Sequence, residues 1–460
     1  MLALDRALRV GRSTVAAFVG AGGKTTALAL VSRAQSPCFA AATSHFGDWQ
    51  TAFADSHVVW PDDRREPPDA LAGAGGVVLV TGPPDVQPHR LRGLDAAQAA
   101  RLSHLARDRP RPLFVEADGS RRRPLKAPAA HEPPIPEDAN LVVSVVGLAA
   151  LGQPLDEPHV HRPDRFAALT GCAPGAPVTV GHVADMLLHA EGGRKRVPSA
   201  AAHVVLLNHA DTDVLRAAGE QLAALLVPRV AAVLISRLAA GGTASGAPAS
   251  AAPGVFAVRQ PVAATVLAAG ASSRLGRPKP LLDYRGRPFV RAAAEAALAA
   301  GLAPVQVVVG AGADAVAAAL TGLPVTVVRS PEWQEGQAAS IRAAVSALPA
   351  NAGATVFVLA DQPQIPPSLV SALVEAHART LAPVVAPVVG GTRANPVLFD
   401  RDTFPRLLAL RGDVGGRAVI TAPHLVPWPD ASILIDVDTE EDYRGLLGIQ
   451  DPGFGIRDQR

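Results

Sequence analysis

The sequence predicts an α/β protein of two domains, each built on a mostly parallel sheet. Three observations carry that reading. The chain has 460 residues, more than one ordinary core organises. Near its middle stands Gly241-Gly242-Thr243-Ala244-Ser245-Gly246-Ala247-Pro248, and small residues with Gly and Pro build no core and behave as a linker. On both sides of it, short β-rich runs alternate with helical stretches. We therefore expect a first domain over 1–238, a linker over 239–261, a second domain over 262–450 and a frayed tail over 451–460.

In the first half, an apolar run over 14–19 reads as a strand leading into Gly20-Ala21-Gly22-Gly23-Lys24-Thr25-Thr26, with a helix expected over 27–33. Runs over 113–116 and 203–207 are further buried-strand candidates. In the second half, strands are expected over 264–269, 305–309, 325–329 and 355–360, and helices over 290–300, 314–320 and 338–348. Short loops between such elements imply parallel strands covered on both faces, with ligands bound beyond the strands' carboxyl ends.

Composition narrows the class. A net charge of +2 argues against nucleic acid or an anionic membrane as partner. Two cysteines, Cys38 and Cys172, lie far apart and outside any Cys-x-x-Cys pair, so neither a disulfide framework nor structural zinc is expected. The N-terminus lacks the basic-then-apolar order of a signal peptide, and apolar windows are short or broken by Gly, Pro and Gln. A reduced, cytoplasmic setting without membrane spans is the expectation.

The second half carries the most specific chemistry. The expected strand over 264–269 ends in Leu267-Ala268-Ala269-Gly270-Ala271-Ser272-Ser273-Arg274-Leu275-Gly276-Arg277-Pro278-Lys279. Glycine lets backbone N–H groups approach an anion closely, and Arg274 and Lys279 add full positive charges. That is a site for a triphosphate. Nucleotidyl transfer also needs a divalent cation, and magnesium asks for one or two carboxylates. Asp361 follows one apolar run and Asp438 follows another, over 433–437, so each would sit at a strand end; Asp436 would share a strand face with Asp438 and ranks behind it. Arg277 and Arg285 read as solvated charges.

This half resembles the molybdenum cofactor cytidylyltransferases over nearly its whole length. The resemblance rests on 267–282, Glu335-Gly336-Gln337-Ala338-Ala339-Ser340-Ile341-Arg342, Ala360-Asp361-Gln362-Pro363, Arg393-Ala394-Asn395-Pro396 and Arg411-Gly412-Asp413-Val414-Gly415-Gly416-Arg417. It implies that Leu267, Ala268, Ala269, Gly270, Ser272 and Gly276 hold the nucleotide, that Arg274, Lys279 and Asp361 are catalytic, and that Asp361 binds magnesium. It places Arg342, Asn395, Gly412, Asp413 and Arg417 on the acceptor side. Guanylyl-transferring relatives carry Leu-Ala-Gly-Gly where this chain has Leu267-Ala268-Ala269-Gly270, so CTP is the implied nucleotide. The implied acceptor is molybdopterin, and the implied products are its cytosine dinucleotide and pyrophosphate. Transfer to a sugar phosphate or methylerythritol phosphate, and a carrier that binds cofactor without turnover, stand as alternatives.

In the first half, the loop holding Gly20, Gly22, Gly23, Lys24 and Thr25 shortens the Walker A pattern, because Phe18 stands where that pattern has glycine. Lys24 would meet phosphates and Thr25 a magnesium ion. Asp118, just past the run over 113–116, would act as a second magnesium ligand. Leu207-Asn208-His209-Ala210-Asp211 is similar to a guanine-reading motif with His209 in place of its lysine, so ATP and GTP both remain open. This half resembles the accessory proteins of selenium-dependent molybdenum hydroxylases, on Gly20 to Thr26, Glu116 to Ser120, Pro124 to Pro128 and His159-Val160-His161-Arg162-Pro163. A molybdenum hydroxylase client is the implied partner.

Overall fold

The structure, a computed structural model, describes residues 1–238, 252–271 and 275–448. These divide into two compact units, Met1–Arg259 and Gln260–Arg460. Ser272 and Arg274 lie outside the described residues, as do 239–251 of the expected linker and the expected tail.

Nine strands form the main sheet of the first unit: β1 (Val15–Gly20), β2 (Cys38–Ala42), β3 (Ser56–Val59), β4 (Val77–Thr81), β5 (Leu113–Glu116), β6 (Leu141–Gly147), β7 (Ala202–Asn208), β8 (Ala232–Arg237) and β9 (Gly254–Arg259). Their order is β9-β8-β7-β6-β1-β5-β2-β4-β3. Eight run parallel, and β9 closes one edge antiparallel to β8. The strand β9 falls inside the expected linker. Its Val255 and Val258 are buried, and this β-branched run was masked by the Gly, Pro and Ala around it.

Alternate side chains of β1 leave opposite faces of the sheet. Val15, Ala17 and Val19 join Leu102 and Ala106 of the helix Ala96–Asp108 in one core. A second core gathers Val146, Val205 and Val233 with Phe166 and Leu222 from helices Pro163–Thr170 and Asp213–Leu226. Successive strands run outward to β2–β4 on one side of β1 and to β6–β9 on the other. The loop after β1 therefore sits where strand order reverses, the place at which open α/β sheets bind ligands.

The second unit repeats the device with eight strands: β10 (Val262–Ala268), β11 (Val305–Val309), β12 (Val325–Arg329), β13 (Ala354–Leu359), β14 (Val384–Val389), β15 (Thr392–Arg393), β16 (Val397–Asp400) and β17 (His424–Pro427). The path is β12-β11-β10-β13-β16-β14-β15, with β17 beside β14. The four strands around β10 are parallel; β16 runs antiparallel to β13 and β14, so this sheet is mixed beyond β13. Leu267 stands opposite Leu359, so the loops leaving β10 and β13 emerge side by side at the switch point.

Packing fixes the register of this end. Val262, Ala264, Val266 and Ala268 face the helices Phe289–Ala299 and Pro367–Thr380. On the other face Ala269 joins Val308, Ile341 and Phe357. Buried polar groups there are satisfied: the Gln306 amide donates to Thr265 Oγ1 at 2.9 Å and to the Ala344 carbonyl at 2.8 Å. The run over 433–437 is not a strand. A 3-10 turn, Ala431–Leu434, precedes irregular backbone through Asp438, because Pro429 territory upstream and Asp430 capping Ser432 N initiate a turn.

Candidate functional sites

In the second unit a cleft of about 550 Å³ opens over the ends of β10 and β13. Leu267, Ala268, Ala269, Gly270 and Ala271 form one wall, and Lys279, Leu359, Ala360, Asp361 and Asp438 another. A methyl group placed on Gly270 would meet no described residue within 4 Å. The Lys279 ammonium pairs with Asp438 and stands 3.8 Å from Asp361 Oδ2. Burial pushes the Asp361 carboxyl above its ordinary range; Lys279 opposes this, and Asp436 and Asp438 reinforce it.

The lysine is held by a second clamp. Asp442 accepts from the backbone N–H groups of Asp438 and Thr439 and so starts the helix Glu440–Leu447. Arg277 pairs with Glu440 at 2.7 Å and lies over the Tyr443 ring, and the Tyr443 hydroxyl donates to the Asp283 carbonyl. Arg277 remains an exposed charge, as expected, and is also tied to the helix that follows Asp438. Asp436 turns elsewhere: it accepts from the Gln362 side-chain amide at 2.5 Å.

The far wall is Trp333, Gln334, Gly336, Gln337, Ser340 and Asp413. Of the residues assigned to the acceptor side, Asp413 reaches the cleft; its Oδ1 accepts from Gln337 N, and the Gly412 carbonyl accepts from Ala338 N. Arg342 is engaged by the Leu410 carbonyl and Glu332, and neither it nor Gly276, Asn395, Gly412 or Arg417 lines the cleft. Sequence reasoning passed over Trp333. A lone tryptophan just before Glu335-Gly336 was the available signal.

The first unit holds a cleft of about 590 Å³ beyond β1 and β5. Gly22, Gly23, Lys24, Thr25 and Thr26 line it, and helix Lys24–Ala34 points its N-terminus there. Gly22 has φ +84° and no room for a Cβ beside Gly147, so the turn itself requires glycine. Lys24 is 3% exposed, donates to the Gly20 carbonyl at 2.6 Å and pairs with Asp118 at 3.3 Å. Asp118 also pairs with Lys126 at 2.8 Å and accepts from Gly20 N, and it does not line the cleft. The carboxylate beside Thr25 is Glu116, which accepts from the Thr25 hydroxyl at 2.7 Å and is pushed up by burial, against the pull of Lys24. Glu116, and not Asp118, is therefore the carboxylate that meets Thr25 on the cleft's lining.

Asn208 also departs from its expected part. Its amide donates to the Gly22 carbonyl at 2.8 Å and its oxygen accepts from Leu238 N, so it buttresses the loop. His209 lines the cleft, with a buried Nδ1 that has no hydrogen-bond partner among the described residues. Among the described residues no three His, Cys, Asp or Glu side chains converge as a metal-ligand set, and no helix is long and apolar enough to cross a membrane.

Fold and site together define an α/β protein with a nucleotidyltransferase cleft at the switch point of its second sheet. Comparison with known proteins agrees. The MobA-like NTP transferase domain family matches residues 264–426, and the YqeC protein family matches residues 16–164. Nicotine blue oxidoreductase of Paenarthrobacter nicotinovorans is 34% identical over 198 residues, 40% of this chain and 96% of that protein. The uncharacterised protein YqeC of Escherichia coli K12 is 38% identical over 96 residues, 21% of this chain and only 38% of that protein. The crystal structure of Rv0371c from Mycobacterium tuberculosis H37Rv is 30% identical and covers 41% of this chain and 98% of its own, with a TM-score of 0.38. The chain belongs to the MobA-like NTP transferase family through its second half, joined to a YqeC-type first half.

Proposed function

We propose that the second unit transfers CMP from CTP to molybdopterin, giving molybdopterin cytosine dinucleotide and pyrophosphate, in the maturation of molybdenum hydroxylases in the cytoplasm. The observation that carries this reading is Lys279 held between Asp361 and Asp438 at the mouth of the 267–271 loop. The loop's backbone faces the triphosphate, and Lys279 neutralises the leaving pyrophosphate. The terminal phosphate of the acceptor is already an anion. Its oxygen forms the new bond to the α-phosphorus as the bond to pyrophosphate breaks, so no general base is required and positioning supplies most of the rate.

The donor set fits magnesium. Burial and two neighbouring carboxylates crowd negative charge at Asp361, which a divalent cation relieves, and Asp361 with Asp438 would hold it. When bound, the ion supplies charge neutralisation at the phosphates. Ala269 supports CTP over GTP: it lines the cleft at the position where guanylyl-transferring relatives carry glycine. The Trp333 ring and the polar Gln334, Gln337 and Asp413 suit a flat heterocycle on the acceptor side.

The first unit, on this reading, binds ATP or GTP through Gly20 to Thr25, with Thr25 and Glu116 placed for its magnesium ion, and serves the same client hydroxylase. A second reading of the second unit comes from the nicotine blue relative, whose name is that of an oxidoreductase. The charge set at Lys279 has no task in hydride transfer, which favours nucleotidyl transfer. Mass spectrometry of the product formed from CTP and molybdopterin tests the choice: the cytosine dinucleotide is expected, and oxidation of a reduced nicotinamide nucleotide without any dinucleotide would replace this reading with the second.

A further inference from the structure

We propose that the first unit's cleft has a second anion subsite, built by Arg121, Arg122 and Arg123, which takes a phosphorylated small molecule alongside the nucleotide. The proposal rests on the nucleotide reading of Lys24 and Thr25 only for the identity of the first ligand.

The charge distribution leads to it. Three acids are buried at the cleft: Glu116 on its lining, and Asp118 and Glu132 off it. Each has its cation: Lys24 and Lys126 at Asp118, Lys126 and Arg162 at Glu132, and Lys24 acting on Glu116. The arginines of the loop after β5 are in excess of that balance. Arg121, Arg122 and Arg123 all line the cleft, and none is in an ion pair among the described residues. Arg90 lines it too, and its guanidinium donates to the Gln87 side chain. Glu116, already engaged by Thr25, is the acid on the cleft's lining. A concave site with this excess of guanidinium groups favours phosphate, which Arg binds through paired N–H donors.

Two further observations separate it from a solvated surface run. Arg121 and Arg122 occupy left-handed backbone consecutively, at φ +50° and +62°, a conformation costly for residues with a Cβ and found where a loop must aim its side chains. Arg122 stacks over Trp49 at 5.1 Å, and that indole, 56% exposed, also lines the cleft. Cation and ring together offer one charged and one flat surface. Arg121 to Arg123 and Trp49 are distinct from the loop Gly22 to Thr26, so the two anions would have separate partners. A concave cleft of this kind suits a small molecule, whereas nucleic acid would need an extended basic face.

Trp49 makes the subsite observable in the full-length protein. With the adenylyl imidodiphosphate analogue of ATP and magnesium already bound, glycerol 2-phosphate is titrated while tryptophan emission is recorded. A saturable change is expected in the wild type and is expected to vanish in Trp49→Phe, which separates it from Trp333 in the other unit. Arg121→Ser/Arg123→Ser should weaken the monoester at least tenfold while leaving thermal melting and pyrophosphate release by the second unit unchanged. Lys24→Ala should weaken the ATP analogue but shift monoester affinity by less than twofold. A monoester response absent from the wild type, unaffected by the double substitution, or lost equally in Lys24→Ala would overturn the second subsite. Failure of the nucleotide reading appears separately, as ATP-analogue affinity unchanged by Lys24→Ala.

Discussion

Lys279 and Asp361 meet on one wall of the cleft, 3.8 Å apart, although 82 positions separate them in the chain. The loop after β10 brings the lysine and the end of β13 brings the carboxylate, and both emerge at the switch point because Leu267 pairs with Leu359. Losing the lysine leaves two crowded carboxylates and an unneutralised leaving group. Lys279→Ala is therefore expected to lower kcat for pyrophosphate release by about 10²–10³-fold, the scale of removing one charge-stabilising donor. Lys279→Arg should recover only part of this, since the fork of guanidinium differs from a point charge. Steady-state kinetics with CTP check both.

Gly336 sits at φ +108° with no space for a Cβ against the Asp413 backbone. Gly336→Ala is expected to cost about 1–3 kcal/mol of stability, from strain and displaced backbone. Because the displaced segment carries Asp413 and Gln337 on the cleft wall, KM for the acceptor should rise more than KM for CTP. Thermal melting and separate KM measurements check the two effects.

Burial pushes the His203 imidazole from 6.5 down to about 4, with Arg194 adding to the effect, while its ring shares a hydrogen bond with Ser144 Oγ at 2.9 Å. The depressed value means that the folded chain binds a proton less readily than the unfolded one. Stability is complete above pH 6.5 and is lost as pH falls through the window from 6.5 to about 4, by at most roughly 3 kcal/mol from this residue. His203→Gln, which keeps a partner for Ser144, should flatten that acid limb in urea denaturation measured at pH 7 and pH 4.5.

Cys38 and Cys172 are both buried, and burial holds the Cys38 thiol up to about 12, so thiolate is scarce at neutral pH. Native protein is expected to react negligibly with a thiol reagent over minutes and to give two thiols per chain after denaturation. Rapid native labelling would contradict the packing of β2.

The parallel layout of both units was legible in the sequence because short runs rich in Val, Leu and Phe, such as Val305–Val309 and Leu113–Glu116, alternate with helical stretches. Asp361 and the 267–271 loop were legible because each stands at the end of such a run, and Lys279 because it follows in the same glycine-containing segment. Other features depend on tertiary contact. Asp438 arrives from irregular backbone, and no local pattern places it on Lys279. Asp118 follows the loop-strand pattern of a magnesium ligand, yet Lys24 and Lys126 draw it into a buried pair, leaving Glu116 at Thr25. Asn208 has the spacing of a base reader and serves the backbone of Gly22. The strand β9 was hidden because pairing with β8, not composition, makes it a strand.

The most direct test of the central claim is pyrophosphate release by full-length protein with magnesium and molybdenum-loaded molybdopterin, with CTP and GTP in parallel and Asp361→Ala beside the wild type. Release that is selective for CTP and lost in Asp361→Ala is the expected result. Release with neither nucleotide from folded protein, or equal release from Asp361→Ala, would contradict it.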